Sequence, residues 1–379
     1  MGPARAMKGS IAMRRLALAG LVVLAAVLIA ACTPTEPGYK PLLSGIVNKG
    51  SETYFHLAQP YPVIDLSEVA ASSPGLTGTV VDVSWSQLEP SPGTFDFSTL
   101  DADLAAVSDY NSANPGATLG VKLRVWAAND APEWAKTMDG TPISTDVNNQ
   151  PATVGQWWKS DYRAAWAGLQ TALAQRYDNN PLINEVVVAS CASLTDEPMI
   201  MAASPDVSSI LLADGWTNAA QQSCLDGALS DYAPWHHTAI YFPFSPFTTI
   251  SPSGQRGVDD TVTAEVMQRC ANSLSSGGPW CILGNNALDG NQSGSFVYDE
   301  INSLYASDPS NTAVAFQMNS PATTGTAACQ AVAVAVAEHA NSVEFWPKTG
   351  QNLGFTGDTP ATLKSWGQDL LMGTSPSCT

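Results

Sequence analysis

Basic residues are scarce in this chain: 16 Lys and Arg stand against 34 Asp and Glu, a formal net charge of −18. Nucleic acid needs a basic face to neutralise its phosphates, so no nucleic-acid partner is expected. Histidine is scarcer still, at 4 residues. Neither a C-x-x-C nor an H-x-x-x-H spacing occurs, and no metal site is expected either. Internal repeats and a linker to a second domain are both missing. Long hydrophobic runs are absent except for one, Leu16 to Ala31.

That run opens what the sequence does contain. Arg5, Lys8, Arg14 and Arg15 precede it, the layout of a secretory signal, and Met13 offers a second start. It is short for a bilayer span of about 20 residues, which disfavours a transmembrane anchor. The run ends Leu28-Ile29-Ala30-Ala31-Cys32, which resembles a bacterial lipoprotein box with Cys32 as the lipidated first residue. Ordinary cleavage after a small residue is the alternative. The resemblance implies an exported, extracytoplasmic protein held at the membrane surface by acyl chains on Cys32. The expected organisation is a signal peptide over 1–31, a tether over 32–50 carrying Pro34, Pro37, Gly38 and Pro41, and one domain over 51–379.

Setting Cys32 aside leaves Cys191, Cys224, Cys270, Cys281, Cys329 and Cys378. An even number in an exported chain reads as three disulfides, and six cysteines allow fifteen connectivities. Pairing sequence neighbours gives Cys191–Cys224, Cys270–Cys281 and Cys329–Cys378.

Strands and helices alternate along the domain. Strands are expected at Tyr54–Gln59, Val80–Val83, Leu119–Trp126, Ile183–Cys191, Ala239–Phe242, Trp280–Leu283, Ala313–Gln317 and Ser342–Trp346. A helix begins at Ser98 or Thr99, with Leu100, Leu104 and Val107 at helical spacing. Another runs from Gln156 to Tyr177, where Trp158, Tyr162, Trp166, Leu169 and Leu173 form one buried stripe. Further helices are expected at Asn218–Leu229, Thr261–Leu274, Phe296–Tyr305, Ala327–Glu338 and Pro360–Leu371. Eight such units predict an α/β fold, a closed (β/α)8 TIM barrel in a single domain.

The stretch Trp85 to Asp101 reads W-S-x-L-E-P-x-x-G-x-F-D-F-x-x-L-D. It resembles the second βα unit of the (β/α)8 glycoside hydrolases related to β-galactosidases and cellulases. Ala131-Pro132-Glu133-Trp134 after the third strand, and Arg176 to Pro181 before the fourth, resemble the same superfamily. The likeness implies hydrolysis of O-glycosidic bonds in an oligo- or polysaccharide by a carboxylate pair, without a cofactor.

Functional groups of such a barrel sit at the C-terminal strand ends. Candidates there are Trp85 and Glu89, Arg124 and Trp126, Asn129 and Asp130, Asp196 and Glu197, Asn285 and Asn286, Gln317 and Asn319, Glu344 and Trp346. The superfamily's acid/base is usually an Asn-Glu pair ending strand four. Asn184-Glu185 has the right types but precedes the Val186-Val187-Val188 run, the wrong end of the strand. Glu197, in Thr195-Asp196-Glu197-Pro198, matches better, although it falls later than the usual spacing; Asp196 is its rival.

The superfamily's nucleophile is a Glu ending strand seven, where this chain has Gln317. An amide cannot attack as a carboxylate does, so either the second carboxylate has moved or hydrolysis has been lost. Alternation puts Glu344 and Trp346 on one side of strand eight, so Glu344 is the replacement, with Arg124 or Gln317 as its partner. A buried structural Glu–Arg pair is the alternative. Aromatic faces stack on sugar C–H surfaces while amides and Arg bind hydroxyls. Trp85, Arg124, Trp126, Asn129, Asn285, Gln317, Asn319 and Trp346 are accordingly expected to bind substrate. Glu89 is expected to tie down its own loop, and His236-His237 to pack or cap. The rival function is a carbohydrate-binding lipoprotein with a degenerate active site. A metal-dependent barrel hydrolase is disfavoured because no His-x-His pattern is present.

Overall fold

The computed structural model of the chain describes residues 2, 38–49, 61–66, 69, 75–147, 150–194, 197–199, 205–292, 294–320, 323–346 and 358–378. Residues 3–31 of the expected signal peptide, Cys32, Asp196 and the expected strand Tyr54–Gln59 lie outside the described residues. Eight parallel strands close a barrel: β1 (Gly45–Asn48), β2 (Gly78–Ser84), β3 (Gly120–Trp126), β4 (Ile183–Val187), β5 (Ala239–Pro243), β6 (Cys281–Leu288), β7 (Ala313–Met318) and β8 (Ser342–Phe345). Each strand pairs with its sequence neighbour, and β8 returns to β1 with Gly45 opposite Ser342 and Asn48 opposite Phe345. This is a (β/α)8 TIM barrel.

Helices α1 (Ser98–Ala113), α2 (Ser160–Tyr177), α3 (Asn218–Asp231), α4 (Asp260–Ala271), α5 (Phe296–Ser307), α6 (Gly325–Ala337) and α7 (Pro360–Met372) follow β2 to β8 in turn. Among the described residues no helix is long and apolar enough to cross a membrane.

One expectation is corrected at the start of the barrel. Gly45–Asn48, placed in the tether by its proline-rich surroundings, is β1. Only four residues long, it becomes a strand because β8 and β2 supply partners on both sides. Two hairpins were not foreseen, Ile143–Val147 with Gln150–Val154 and Phe247–Ile250 with Arg256–Asp259. Neither was the helix Pro205–Ala213. All three are insertions after β3, β4 and β5.

The period-2 alternation of each strand divides the interior in two. Val81, Val83, Val121, Leu123, Val125, Ile240, Phe242, Val314, Phe316 and Val343 join the core beneath the helices. Val187, Ala239, Tyr241, Ile282, Ala313 and Ala315 form a separate cluster on the alternate positions, inside the barrel. Disulfides Cys191–Cys224, Cys270–Cys281 and Cys329–Cys378 form as neighbour pairing predicted, with Cα separations of 5.9, 5.2 and 5.6 Å. The first ties the chain after β4 to α3, and the second ties α4 to the start of β6.

Candidate active site

The barrel interior is unusually ionic. On β3 the residues alternating with Val121, Leu123 and Val125 are Lys122, Arg124 and Trp126, and Lys122 and Arg124 have no solvent exposure. Lys122 Nζ donates to Glu344 Oε1 at 2.8 Å and lies 3.1 Å from Glu185 Oε2. Arg124 Nη2 donates to Glu344 Oε2 at 2.8 Å and to Gln317 Oε1 at 3.3 Å, while Nη1 lies 3.8 Å from Asp82 Oδ1. Charges removed from water are tolerated only when paired in this way. Lys122 also sits 3.9 Å from the centroid of the Tyr241 ring, a cation–π contact.

These neighbours set the protonation states. Burial would push the Glu344 carboxyl up, but Arg124, Lys122 and Lys49 outweigh it and hold the group well below the usual carboxylate range. Glu185 is raised by burial, only partly offset by Lys122. Burial lowers the Lys122 ammonium, yet Glu185 and Glu344 more than restore it, so it stays charged. The Tyr241 phenol is driven well up, first by burial, then by the negative charge of Glu344, with Glu197 adding to it.

Tyr241 fits inside the barrel because β6 carries Gly284 beside it: a Cβ there would meet the tyrosine ring at 2.1 Å. The Tyr241 hydroxyl donates to Asn286 Oδ1 at 2.8 Å, which leaves the Asn286 amide nitrogen as that side chain's donor end. Trp346 is half-buried at the end of β8, its indole N–H donating to the Met318 carbonyl, with Lys49 Nζ 4.9 Å from its ring centroid. Trp126 donates from its indole N–H to Asp82 Oδ1 at 2.9 Å. Asn129 donates to Asp130 Oδ2 at 3.2 Å. Burial pushes Asp130 up to about 6, against the opposing pull of Lys136, Tyr61 and Asn129.

Several expected site residues therefore come together: Arg124, Gln317 and Glu344 as one bonded group, Trp126 and Trp346 at the ends of their strands, and Glu197 within electrostatic reach of Tyr241. Others do not. Trp85 points to the helix side, fully buried, and packs edge-on against Trp134, Tyr162 and Trp166. It shares its outward phase with Val81 and Val83, so it is a core residue and not a sugar platform.

Asn285 is likewise outward. It donates to the Phe244 carbonyl and accepts from the Tyr298 hydroxyl of α5. Ile282, Gly284 and Asn286 share the inward phase of β6, so Asn286, not Asn285, is the partner of Tyr241. Asn319 is exposed, donating to Asp289 Oδ2 at 3.2 Å on the neighbouring loop.

Glu89 does what its motif suggests: it accepts from the Trp85 indole at 2.9 Å and from the Gly93 backbone at 2.8 Å. Gly93 turns there with φ of +68°, a conformation glycine adopts without penalty. Glu185 is bonded by the Leu43 backbone N–H at 2.9 Å, at the entry end of the barrel, as the position before the valine run implied. His236 and His237 donate their backbone N–H groups to Asp178. Lys49, Asp82, Lys122 and Tyr241 were missed, although strand phase alone puts Lys122 on the side of Arg124 and Trp126. Among the described residues no group of three or more His, Cys, Asp or Glu could hold a metal ion.

Residues 76–190, from the start of β2 to just beyond β4, match the Glyco_hydro_42 family, described as beta-galactosidase. Solved structures similar to the chain include endo-glycoceramidase II from Rhodococcus sp. as its lactosyl-enzyme intermediate, with 16% identity, 85% of this chain and 78% of that chain covered, and a TM-score of 0.45. An endogalactoceramidase shares 14% identity over 87% of this chain and 75% of that one, at a TM-score of 0.48. A GH5_18 protein from Bifidobacterium longum subsp. longum in complex with Manb1-4GlcNAc shares 13% over 88% and 78%, at 0.45. No curated protein matches the chain in sequence.

Proposed function

We propose that the chain hydrolyses a glycosidic bond at the C-terminal mouth of the barrel, with Glu197 as acid/base and Glu344 as the second carboxylate. The observation that carries this reading is Glu344, a carboxylate held inside the barrel between Lys122 and Arg124 at 2.8 Å each, with Glu197 near enough for its charge to bear on Tyr241 beside that group. The likeness to the beta-galactosidase family over 76–190 supports the same class.

In this chemistry one carboxyl protonates the leaving oxygen as the anomeric C–O bond breaks and positive charge develops at carbon. A carboxylate that stays ionised stabilises or attacks that carbon, and Glu344, held ionised by Arg124, Lys122 and Lys49, is suited to stay so. Water then adds to the carbon, and its proton restores the first carboxyl. Glu197→Gln should cut turnover about 10²–10⁴-fold while leaving thermal unfolding unchanged. Near-native turnover in that variant would remove Glu197 from the mechanism.

A second reading is favoured by one specific feature. Glu344 is fully buried, with Lys122 on one oxygen and Arg124 on the other, and attack on a sugar requires one of them to yield. A barrel that binds glycan without cleaving it has no such requirement. Calorimetry with lactose, cellobiose and β-linked mannobiose, followed by chromatography of the sugar, separates the two. Saturable binding with intact sugar recovered supports the binder and ends the hydrolase reading.

We further propose that the chain is exported and acylated at Cys32; three disulfides fit an oxidising compartment. Cys32→Ser should shift the protein from the detergent phase to the aqueous phase in membrane partitioning. Unchanged partitioning would remove the lipid from the account.

A further inference from the structure

We propose that Trp126 and Asp130 form a pyranose subsite that the chain's own Tyr61 fills when no sugar is present. The proposal rests on the carbohydrate reading above and adds to it a residue that the motifs did not point to.

Tyr61 lies flat over Trp126, with ring centroids 6.1 Å apart and planes inclined by 17°. Its hydroxyl donates to Asp130 Oδ2 at 3.4 Å. A ring face on an indole, with a hydroxyl reaching a carboxylate, is also how a protein holds a sugar ring: the C–H face stacks and the rim hydroxyls hydrogen-bond. The groups that recognise Tyr61 are therefore those that would recognise a pyranose. Both recognising groups are fixed in advance. The Trp126 indole is pinned to Asp82 at 2.9 Å, and Asp130 sits on a short 3-10 turn, Ala128–Asp130, braced by Asn129. A preset site loses little freedom when its ligand arrives.

Tyr61 is held in another way. Its backbone N–H donates to Gln87 Oε1 and its carbonyl accepts from Gln87 Nε2, both at 3.0 Å. Gln87 belongs to the one-turn helix Trp85–Leu88, where it also completes a capping box with Ser84. The clasp thus belongs to the loop after β2, while the covered platform belongs to β3. Trp126 is 2% exposed beneath Tyr61, which is the partly exposed outer member of the pair. Lifting Tyr61 breaks its two backbone bonds to Gln87, its hydroxyl bond to Asp130 and its stacking on Trp126, and leaves the Trp126–Asp82 bond intact.

The test uses the full chain with Tyr61→Ala and, should that variant loosen the fold, Tyr61→Leu, which keeps bulk without a flat ring or hydroxyl. Oxidation of Trp126 by N-bromosuccinimide, read by peptide mass mapping, should rise in either variant. The deeply buried Trp85 is the internal control and should stay unreactive. Calorimetric affinity for whichever of lactose, cellobiose or β-linked mannobiose binds should rise about three- to tenfold, the worth of one aromatic pair no longer competing. Trp126→Ala should lose that affinity with or without Tyr61. Unchanged Trp126 oxidation overturns the cover. Raised oxidation with unchanged or weaker sugar affinity overturns the subsite. Raised oxidation with no sugar bound by any form instead overturns the carbohydrate reading, and the subsite falls with it.

Discussion

The two faces of β3 are built on different physics. Outward, Val121, Leu123 and Val125 enter the apolar layer under the helices, where contacts are non-directional and roughly additive in area. Inward, Lys122 and Arg124 hold Glu185, Glu344, Gln317 and Asp82 in one chain of charge-assisted contacts. The helix side tolerates a change of shape. The barrel side does not tolerate the loss of one partner, because the remaining charge has nowhere to be solvated. A TIM barrel is commonly filled by layers of branched apolar side chains; here charges replace part of that filling, directly beneath the mouth.

The sharpest way to break this contrast is Glu344→Leu. It strands Lys122 and Arg124, and about 3–5 kcal/mol of stability should be lost in denaturant titration. A loss no greater than that of an ordinary surface change would show that the ion pairs do not support the barrel. Turnover assays on Glu344 variants therefore need a folding control, which Glu197→Gln does not. On the opposite face Leu123→Met should cost less than about 1.5 kcal/mol, as a volume-conserving swap does. A cost equal to that of Glu344→Leu would erase the distinction between the faces.

The smallest effect is a pH slope. Burial raises Asp103, on α1, to about 7 from the ordinary 3.8. The folded chain then holds that proton more tightly than the unfolded chain, so stability falls as pH rises between about 4 and 7 and levels off above. Asp130 and Asp231, each raised to about 6 by burial, add a slope of the same sign. Glu344 contributes in the opposite sense, its stabilisation being full above about pH 4.5 and lost progressively as the pH falls below that. Asp103→Asn keeps an oxygen for the Ile64 N–H that donates to Asp103 at 2.7 Å, and should flatten the slope measured by thermal unfolding across that window. An unaltered slope would clear Asp103 of responsibility.

Much of the barrel was legible in the chain. Val80 to Val83, Ala239 to Phe242 and Ala313 to Gln317 are short stretches dominated by β-branched and apolar residues, so local composition marks them as buried strands. Glu89 was legible because its partners, Trp85 and Gly93, lie four residues away on either side. β1 was not, because nothing in Gly-Ile-Val-Asn distinguishes a strand from a linker until β8 and β2 flank it. The site was read least well where one residue decides the outcome. Trp126 ends β3 and Trp85 directly follows β2, yet Ser84 is the register partner of Trp126, so Trp85, one step further, faces the other way. Asn285 and Asn286 differ by the same single step along β6.

Sequence by itself determined the alternation of β2 to β8 with α1 to α7, the neighbour pairing of the cysteines and the clamp of the loop after β2, because each depends on residues close along the chain. Which charges meet inside the barrel, and which aromatic covers which, was decided only by the tertiary structure. Lys122 reaches Glu344 across 222 positions because closing β8 onto β1 completes the ring. The apolar alternation of each strand chooses which of its faces turns to the helices, but which residues then meet across the ring is set by the register with strands far away in the chain.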